Sequence, residues 1–222
     1  MSTPRQSKMG RPRDAELAQR RREQILCAAA KVFAARGFRQ TEVQEVADVC
    51  GISKGLIYRY FPSKEAMFLA SVDRGMQLLQ QQIDEAVEPI EDPIDRIRVA
   101  IETHLAFFDR FPGMIELFIQ ERAEFRDRRK PTYFEHRDAN IGRWRQLTID
   151  LIEQGRFRRV PVDRILDVVS DLLYGSMFTN YFRGRIKPVA EQAQDILDIV
   201  MHGILSDEER CRSARDGGAS AH

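Results

Sequence analysis

The sequence predicts an all-α protein of about nine helices, with a three-helix N-terminal domain followed by a larger helical domain. Apolar residues recur at helical spacing, and no stretch alternates as a strand would. Beyond residue 88, prolines interrupt the chain every 20 to 30 residues or so, and proline is tolerated at a helix start but not inside a helix. The expected organisation is a disordered arm at 1–13, domains at 14–62 and 63–206, and a disordered tail at 207–222.

The N-terminal domain is expected to contain three helices. The first has an apolar stripe between Asp14, an expected N-cap, and Gly37, an expected C-cap. Thr41 lies three residues before Gln44, the spacing of a capping box, and predicts the start of the second helix. A third helix follows from about Lys54 to Tyr60.

Six further helices are expected after Pro62. The fourth runs from Lys64 to about Val87, with apolar residues on one face. The remaining helices are placed between the prolines at Pro93–Arg110, Pro112–Glu124, Thr132–Gln154, Val162–Gly184 and Val189–Leu205.

The net charge of +1 conceals an uneven distribution along the chain. Residues 1–64 contain 13 Lys or Arg against 6 Asp or Glu, whereas residues 65–222 contain 22 against 28. A basic first quarter is expected of a protein that binds the phosphate backbone of nucleic acid. A solvated basic tail is the alternative.

Several other classes are disfavoured by composition. No apolar run reaches the length of a membrane span and the N-terminus lacks a signal peptide, so the cytoplasm is the expected location. The three cysteines lack the spacing of a disulfide framework or a zinc site. Hydrolase, metalloprotease, P-loop and dinucleotide-binding motifs are absent, so the chain is not expected to be an enzyme and no cofactor is predicted.

The second and third helices have the spacing of a helix-turn-helix, joined by Gly51-Ile52-Ser53. The second helix of such a motif enters the major groove of DNA, and small residues at its start let the backbone approach the bases. An ordinary helical hairpin is the alternative. In and directly after the N-terminal domain, the residues expected to contact double-stranded DNA are Thr41, Ser53, Lys54, Gly55, Leu56, Tyr58, Arg59 and Lys64.

Two stretches resemble one family of bacterial regulators. The segment TEVQEVADVCGISKGLIYRYFPSKEAMF, residues 41–68, resembles the DNA-binding signature of the TetR/AcrR family, and REQILCAAAKVFAARGF, residues 22–38, is similar to its first helix. The resemblance implies that the first three helices bind DNA and that the fourth connects them to a ligand-binding body. It also implies that the last two helices form a homodimer.

Individual positions are implied by the same resemblance. Thr41 and Lys64 match phosphate-contacting sites, and Phe61 matches a core aromatic residue. Leu56 departs from the family, which often has Thr or Ser facing DNA at this position. It either contacts a thymine methyl group or turns into the core.

The arm sequence Gly10-Arg11-Pro12-Arg13 is a second candidate DNA contact. Extended arginines enter the narrow minor groove of A·T-rich DNA, so Arg11 and Arg13 are candidate groove ligands. A non-specific basic tail explains the same composition.

Residues 100–185 are rich in aromatic side chains and methionine. Most such residues form the core of a helical bundle, but pockets between helices are lined by the same types. The candidates for the wall of an effector pocket are Phe107, Phe111, Phe118, Trp144, Tyr174, Phe178 and Tyr181, with His104, Glu121 and Arg122 as polar anchors.

Metal binding is an open alternative for His104, Glu121 and His136, whose imidazole and carboxylate groups suit a transition metal. They are far apart in sequence and form no metal-binding motif, and isolated His and Glu residues in a helical bundle are usually hydrogen-bonded structural groups or surface groups.

The last two helices carry more apolar residues than one buried face needs. Packing against a two-fold copy would bury the second face and match a palindromic operator. Burial within one subunit is the alternative. Together these features predict a homodimeric, ligand-responsive repressor, with an architectural DNA-binding protein that has no effector and a metal-responsive regulator as the alternatives.

Overall fold

A computed structural model describes residues 12–184 and 187–202, and these residues form an all-α fold without a strand, as the sequence predicts. None of its helices is both long enough and apolar enough to cross a membrane. The helices are α1 (Pro12–Arg36), α2 (Val43–Cys50), α3 (Lys54–Tyr60), α4 (Lys64–Val87), α5 (Pro93–Arg110), α6 (Gly113–Glu124), α7 (Thr132–Glu153), α8 (Val162–Arg183) and α9 (Val189–His202).

Two of the helix starts predicted for the N-terminal domain differ from the structure. The first helix begins at Pro12 rather than Asp14, because the fixed φ of proline and its missing N–H suit the first helical turn. The second helix is not capped by Thr41. Its N-cap is Glu42, which makes no side-chain capping bond.

The described residues divide into two compact units that do not follow the order of the chain. The first unit contains residues 12–80 and 111–139, so α6 and the start of α7 belong with α1–α3. The second contains residues 81–110 and the described residues from 140 onward. The predicted domain boundary at residues 62 and 63 stays a prediction.

The core of the first unit is built on the inner face of α1. Phe33 is fully buried and meets Phe68 of α4 edge to face, with ring centroids 5.1 Å apart. Helix α6 packs on α1, and at Gly113 a Cβ atom would lie only 3.0 Å from the Cβ of Ala34. This close approach fixes α6 against α1.

The second unit has a core where α5 packs against α8 and α9. Ile101 and Leu105 of α5 and Ala193 and Leu197 of α9 are all buried and form one cluster. Val169 of α8 packs against that cluster.

Candidate DNA-binding surface and effector site

A glycine-centred turn holds α2 and α3 together. Gly51 ends α2 in the left-handed conformation, with φ of 63°, which glycine adopts without steric cost. Its backbone N–H bonds back to the last turn of α2. Ser53 then caps α3, because its Oγ accepts a hydrogen bond from the Leu56 amide at 3.2 Å. The turn therefore has the geometry of a helix-turn-helix.

Helix α3 buries one face and leaves the other open. Ile57 is buried, and so is Phe61 directly after the helix, where the resemblance described above implies a core aromatic residue. Gly55, Tyr58 and Arg59 are exposed, and 44 % of Tyr58 is accessible. A hydroxyl, a guanidinium and a bare stretch of backbone thus share the outer surface, a combination suited to DNA.

Of the three remaining candidates at the start of α3, one is exposed and two are half-buried. Ser53 is exposed, and its hydroxyl can donate while its oxygen caps the helix. Lys54 and Leu56 are half-buried. Since Ile57 fills the core position of this turn, Leu56 keeps part of its surface outside the core, and its contact with a thymine methyl group stays a prediction.

Thr41 is more enclosed than a phosphate-contacting residue needs to be. It is fully buried, and both its hydroxyl and its backbone N–H donate to the carbonyl oxygen of Gly37, at 2.8 and 3.1 Å. In this conformation Thr41 closes the loop after α1. A phosphate contact would require its hydroxyl to rotate, so that role stays a prediction.

Lys64 lies at the start of α4 and is tied to the same loop. Its Nζ donates to the carbonyl oxygens of Arg39 and Thr41, at 3.3 and 3.2 Å. The ammonium also lies 4.7 Å from the centre of the Phe38 ring. An ammonium group has three donors, so one remains for a phosphate. Lys64 therefore positions the loop and can still meet DNA.

Both candidate side chains of the arm lie outside the part of the chain that the structure describes. Arg11 lies outside the described residues, and the side chain of Arg13 does as well, although its backbone is part of α1. Their minor-groove contacts stay predictions.

His104 is the most distinctive effector candidate of the second unit. It lies on α5 and is 7 % exposed, and burial lowers its pKa to about 4. Its ring lies 5.0 Å from that of Phe108. Among the described residues its Nδ1 has no hydrogen-bond partner. A buried, neutral imidazole with an unsatisfied nitrogen is unusual in a folded protein. Its Nδ1 could form a hydrogen bond with a bound ligand.

Some of the aromatic effector candidates of the second unit form ring contacts. Phe107 is buried and meets Phe108 edge to face at 5.2 Å. On α8 the rings of Tyr174 and Phe178 lie 4.9 Å apart, and burial raises the pKa of the Tyr174 hydroxyl. Trp144 and Tyr181 are half-buried.

The other four effector candidates belong to the first unit. Phe118 is buried and packs edge to face on Tyr133 at 5.6 Å. Phe111 is half-buried, and Arg122 is exposed. Glu121 is 2 % exposed and holds the segment after α6. Its Oε2 has no partner among the described residues, so an anchoring role for Glu121 stays a prediction.

No metal centre is seen within residues 12–184 and 187–202, where no three His, Cys, Asp or Glu side chains are close enough to hold an ion. His136 instead contacts Asp73, with 2.7 Å between Nε2 and Oδ1. A metal-responsive role therefore has no support in the described part of the chain.

Contacts of α6 with α1 and with the loop after α1 were not predicted. Arg39 Nε lies 2.9 and 2.8 Å from the two carboxylate oxygens of Glu124, and Gln120 donates to the carbonyl oxygen of Phe33 at 2.9 Å. These partners are 85 and 87 residues apart. Helical periodicity carries no signal of such distant pairs.

The N-terminal part of the chain matches a known family, and most of the chain is similar to known regulators. Residues 25–71 match the family described as bacterial regulatory proteins, tetR family. The transcriptional repressor KstR2 of Mycobacterium tuberculosis is 26 % identical over 190 residues, which cover 84 % of this chain and 94 % of KstR2. The solved structure of that ketosteroid regulator superposes with a TM-score of 0.63, covering 84 % of this chain and 96 % of that one.

Two further regulators are similar to this chain, one over less than half of it and one over most of it. The transcriptional activator FasR of Mycolicibacterium smegmatis is 38 % identical, but over only 89 residues, 40 % of this chain and 39 % of FasR. The chain thus spans well under half the length of that relative. A TetR-family regulator of Thermus thermophilus, PfmR, is 27 % identical with a TM-score of 0.66, covering 82 % of this chain and 99 % of that one.

Proposed function

We propose, from the premise that this chain is a TetR-family transcriptional regulator, that it is a homodimeric repressor released from a palindromic operator by a small apolar or aromatic molecule. The observation that carries the proposal is the capped turn between α2 and α3, which leaves Gly55, Tyr58 and Arg59 exposed on one face of the helix. A helix presented in this way is the element that enters the major groove. Its place of action would be the cytoplasm, where such an operator is found.

The similarity to KstR2 supports repression more strongly than the similarity to FasR supports activation. KstR2 is named a repressor and aligns along most of its length, whereas FasR is named an activator and aligns over a minority. A repressor that covers its operator also needs no surface for recruiting the transcription machinery. Transcription in vitro from a promoter carrying the bound site should fall on addition of the protein, and a rise would assign activation instead.

A homodimer through α8 and α9 would cover apolar surface that the chain leaves open. Large apolar side chains on these helices are exposed to solvent, and the set is Val168, Leu172, Phe182 and Ile199. Scattered exposed residues are ordinary, but four on the two helices implied by the family give a self-complementary face. Light scattering should report twice the chain mass, and a Val168→Glu/Leu172→Glu variant should be monomeric.

The effector would be held through His104. Its pKa of about 4 keeps the imidazole neutral at physiological pH, so it donates one hydrogen bond and accepts another. The unpartnered Nδ1 suits a hydroxyl, carbonyl or amide group on an otherwise apolar molecule, since a charged group would carry a large desolvation cost there. Ketosteroids, which the name of the KstR2 structure mentions, are molecules of this chemical class.

Release of DNA would require coupling between effector and operator. Helix α4 begins after α3 and continues across the division at residues 80 and 81, so it is the natural lever. A coupling free energy of about 1 to 3 kcal/mol would lower operator affinity roughly 5- to 150-fold. By linkage, the operator would weaken effector binding by the same factor.

Selection of bound duplexes from a random pool tests the proposal first. The full-length protein should enrich a two-fold symmetric sequence with half-sites about one helical turn apart, roughly 34 to 36 Å. Enrichment of no sequence would favour an architectural DNA-binding protein. A thermal-shift panel of ketosteroids, fatty acids and aromatic acids would then supply effector candidates, with His104→Phe as the control.

A further inference from the structure

The segment between α6 and α7 is basic within an acidic region of the chain. Residues 125–130, with the sequence FRDRRK and called here the basic loop, contain four Lys or Arg and one Asp. Residues 65–222 as a whole carry an excess of acidic residues, 28 against 22. Exposed basic side chains within an acidic region can form a binding surface for an anionic partner.

The basic loop is held in one conformation by a buried carboxylate. Glu121 Oε1 accepts hydrogen bonds from Arg128 Nη1 at 2.8 Å and from the Thr132 amide and hydroxyl at 3.0 and 2.7 Å. Arg128 Nη2 donates to Glu135 at 2.8 Å. Because the loop is tied at both ends, side chains that project from it need less ordering on binding.

The basic loop begins against the loop that follows α1 and against the first turns of α4. The ring of Phe125 lies 5.1 Å from Phe38 and 5.5 Å from Phe68, and Phe38 is the ring beneath the Lys64 ammonium. One residue earlier, Glu124 pairs with Arg39. The loop therefore starts beside the segment that contains the candidate phosphate ligands Thr41 and Lys64.

Two cations of the loop remain open for a ligand. Lys130 pairs with Asp138 and Arg128 is used within the chain. Arg126 and Arg129 are exposed, and within the described residues neither side chain has a hydrogen-bond or ion-pair partner. Guanidinium groups bind phosphate through paired hydrogen bonds, so two of them on a fixed loop form an anion-binding surface.

We infer that Arg126 and Arg129 contact the phosphate backbone of DNA next to the site read by α3, which makes the basic loop a second DNA-binding element. The inference rests on the proposed function. The DNA backbone is favoured over an anionic effector because the loop is anchored to the helix-turn-helix unit. The contact would add affinity without sequence preference, as phosphate contacts do.

Salt-dependent titration of the full-length protein against its selected duplex tests the inference. The Arg126→Gln/Arg129→Gln variant should lower the slope of log affinity against log salt by about two units for each bound subunit. Arg158→Gln/Arg159→Gln is the matched control, since it removes two exposed neighbouring arginines from the other unit. Circular dichroism should show all three proteins equally folded.

Asp127 supplies an independent test with the opposite sign. It is exposed between the two arginines and would repel a nearby phosphate, so Asp127→Asn should bind the selected duplex more tightly and steepen the salt slope. Unchanged slopes in both variants, with wild-type protein binding the duplex, would overturn the inference and leave the proposed function standing. Failure of the wild-type protein to bind any duplex would instead refute the proposed function.

Inorganic phosphate separates the DNA backbone from a small phosphate ligand. An Arg126→Gln/Arg129→Gln variant that retains the DNA affinity of the wild type but loses its binding of inorganic phosphate would overturn the inference. Loss of DNA affinity in that variant, with the control variant unchanged, would support the DNA contact.

Discussion

Arg39 and Glu124 join the loop after α1 to the last residue of α6, with Arg39 Nε within hydrogen-bonding distance of both carboxylate oxygens. The Arg39 side chain is 80 % exposed and that of Glu124 is 19 % exposed. Solvent screens such a pair, so its contribution to stability is small. Its more important effect is to fix where the basic loop begins.

The first prediction separates this ion pair from the aromatic packing beside it. A double-mutant cycle on Arg39→Ala and Glu124→Ala should give a coupling below about 1 kcal/mol in urea unfolding. Phe125→Ala should cost roughly 2 kcal/mol, less than a fully buried phenylalanine, because Phe125 is half-buried against Phe38 and Phe68. A coupling above the cost of Phe125→Ala would reverse this ranking.

Lys64 gives the second prediction. Lys64→Gln should weaken the selected duplex and a scrambled duplex about equally, and lower the salt slope by about one unit per subunit. It should also lower the melting temperature, because two carbonyl oxygens lose their donor. Lys31→Gln, an exposed lysine of α1, is the control. If Lys64→Gln spares the scrambled duplex, Lys64 does not contact phosphate.

Sequence periodicity predicted the first four helices well, because each has its own apolar face and a glycine or proline at its end. It misassigned the role of Thr41, whose hydroxyl bonds back to Gly37 instead of capping α2. Local patterns cannot decide between two backbone acceptors on either side of one threonine. The association of α6 with α1 depends on contacts such as Gln120 with the Phe33 carbonyl, whose distance in sequence leaves no local trace.

The candidate sites divide in the same way. The outward face of α3 follows from a short motif, so Tyr58 and Arg59 could be placed from sequence. The effector candidates were chosen by residue type from a long aromatic region, and the structure assigns them to two different units. Residue type alone does not reveal that the Nδ1 of His104 has no hydrogen-bond partner among the described residues, whereas burial and geometry do.

The third prediction concerns pH. His104 has a folded pKa of about 4, below the usual 6.5, so the unfolded chain binds a proton at higher pH than the folded one. Its contribution to stability is therefore complete above pH 6.5 or so and is lost as the pH falls towards 4. Urea unfolding of wild type and His104→Phe at pH 7.5, 6.0 and 5.0 should show a steeper decline for wild type. Parallel declines would mean that protonation of His104 in the folded protein does not lower its free energy of unfolding.

The fourth prediction uses two glycines of the helix-turn-helix. Gly51 has φ of 63°, so Gly51→Ala should destabilise the fold by about 1 to 2 kcal/mol, although a Cβ meets no atom within 4 Å. Gly55 lies within α3, where a Cβ also meets nothing. Gly55→Ala should raise stability by up to about 1 kcal/mol through helix propensity while weakening the selected duplex, since the added methyl group faces DNA. Unchanged affinity of Gly55→Ala would show that the backbone does not approach the bases there.

The relative affinity for specific and scrambled DNA tests the central claim most directly. The wild-type protein is titrated against the selected duplex and against the same duplex with both half-sites scrambled, at one salt concentration. The account predicts a preference of about 1,000-fold or more, which Lys54→Ala/Tyr58→Ala reduces sharply while the circular dichroism spectrum stays unchanged. Equal wild-type affinity for both duplexes, or an undiminished preference in the folded variant, would contradict the assignment of α3 as the helix that reads the operator.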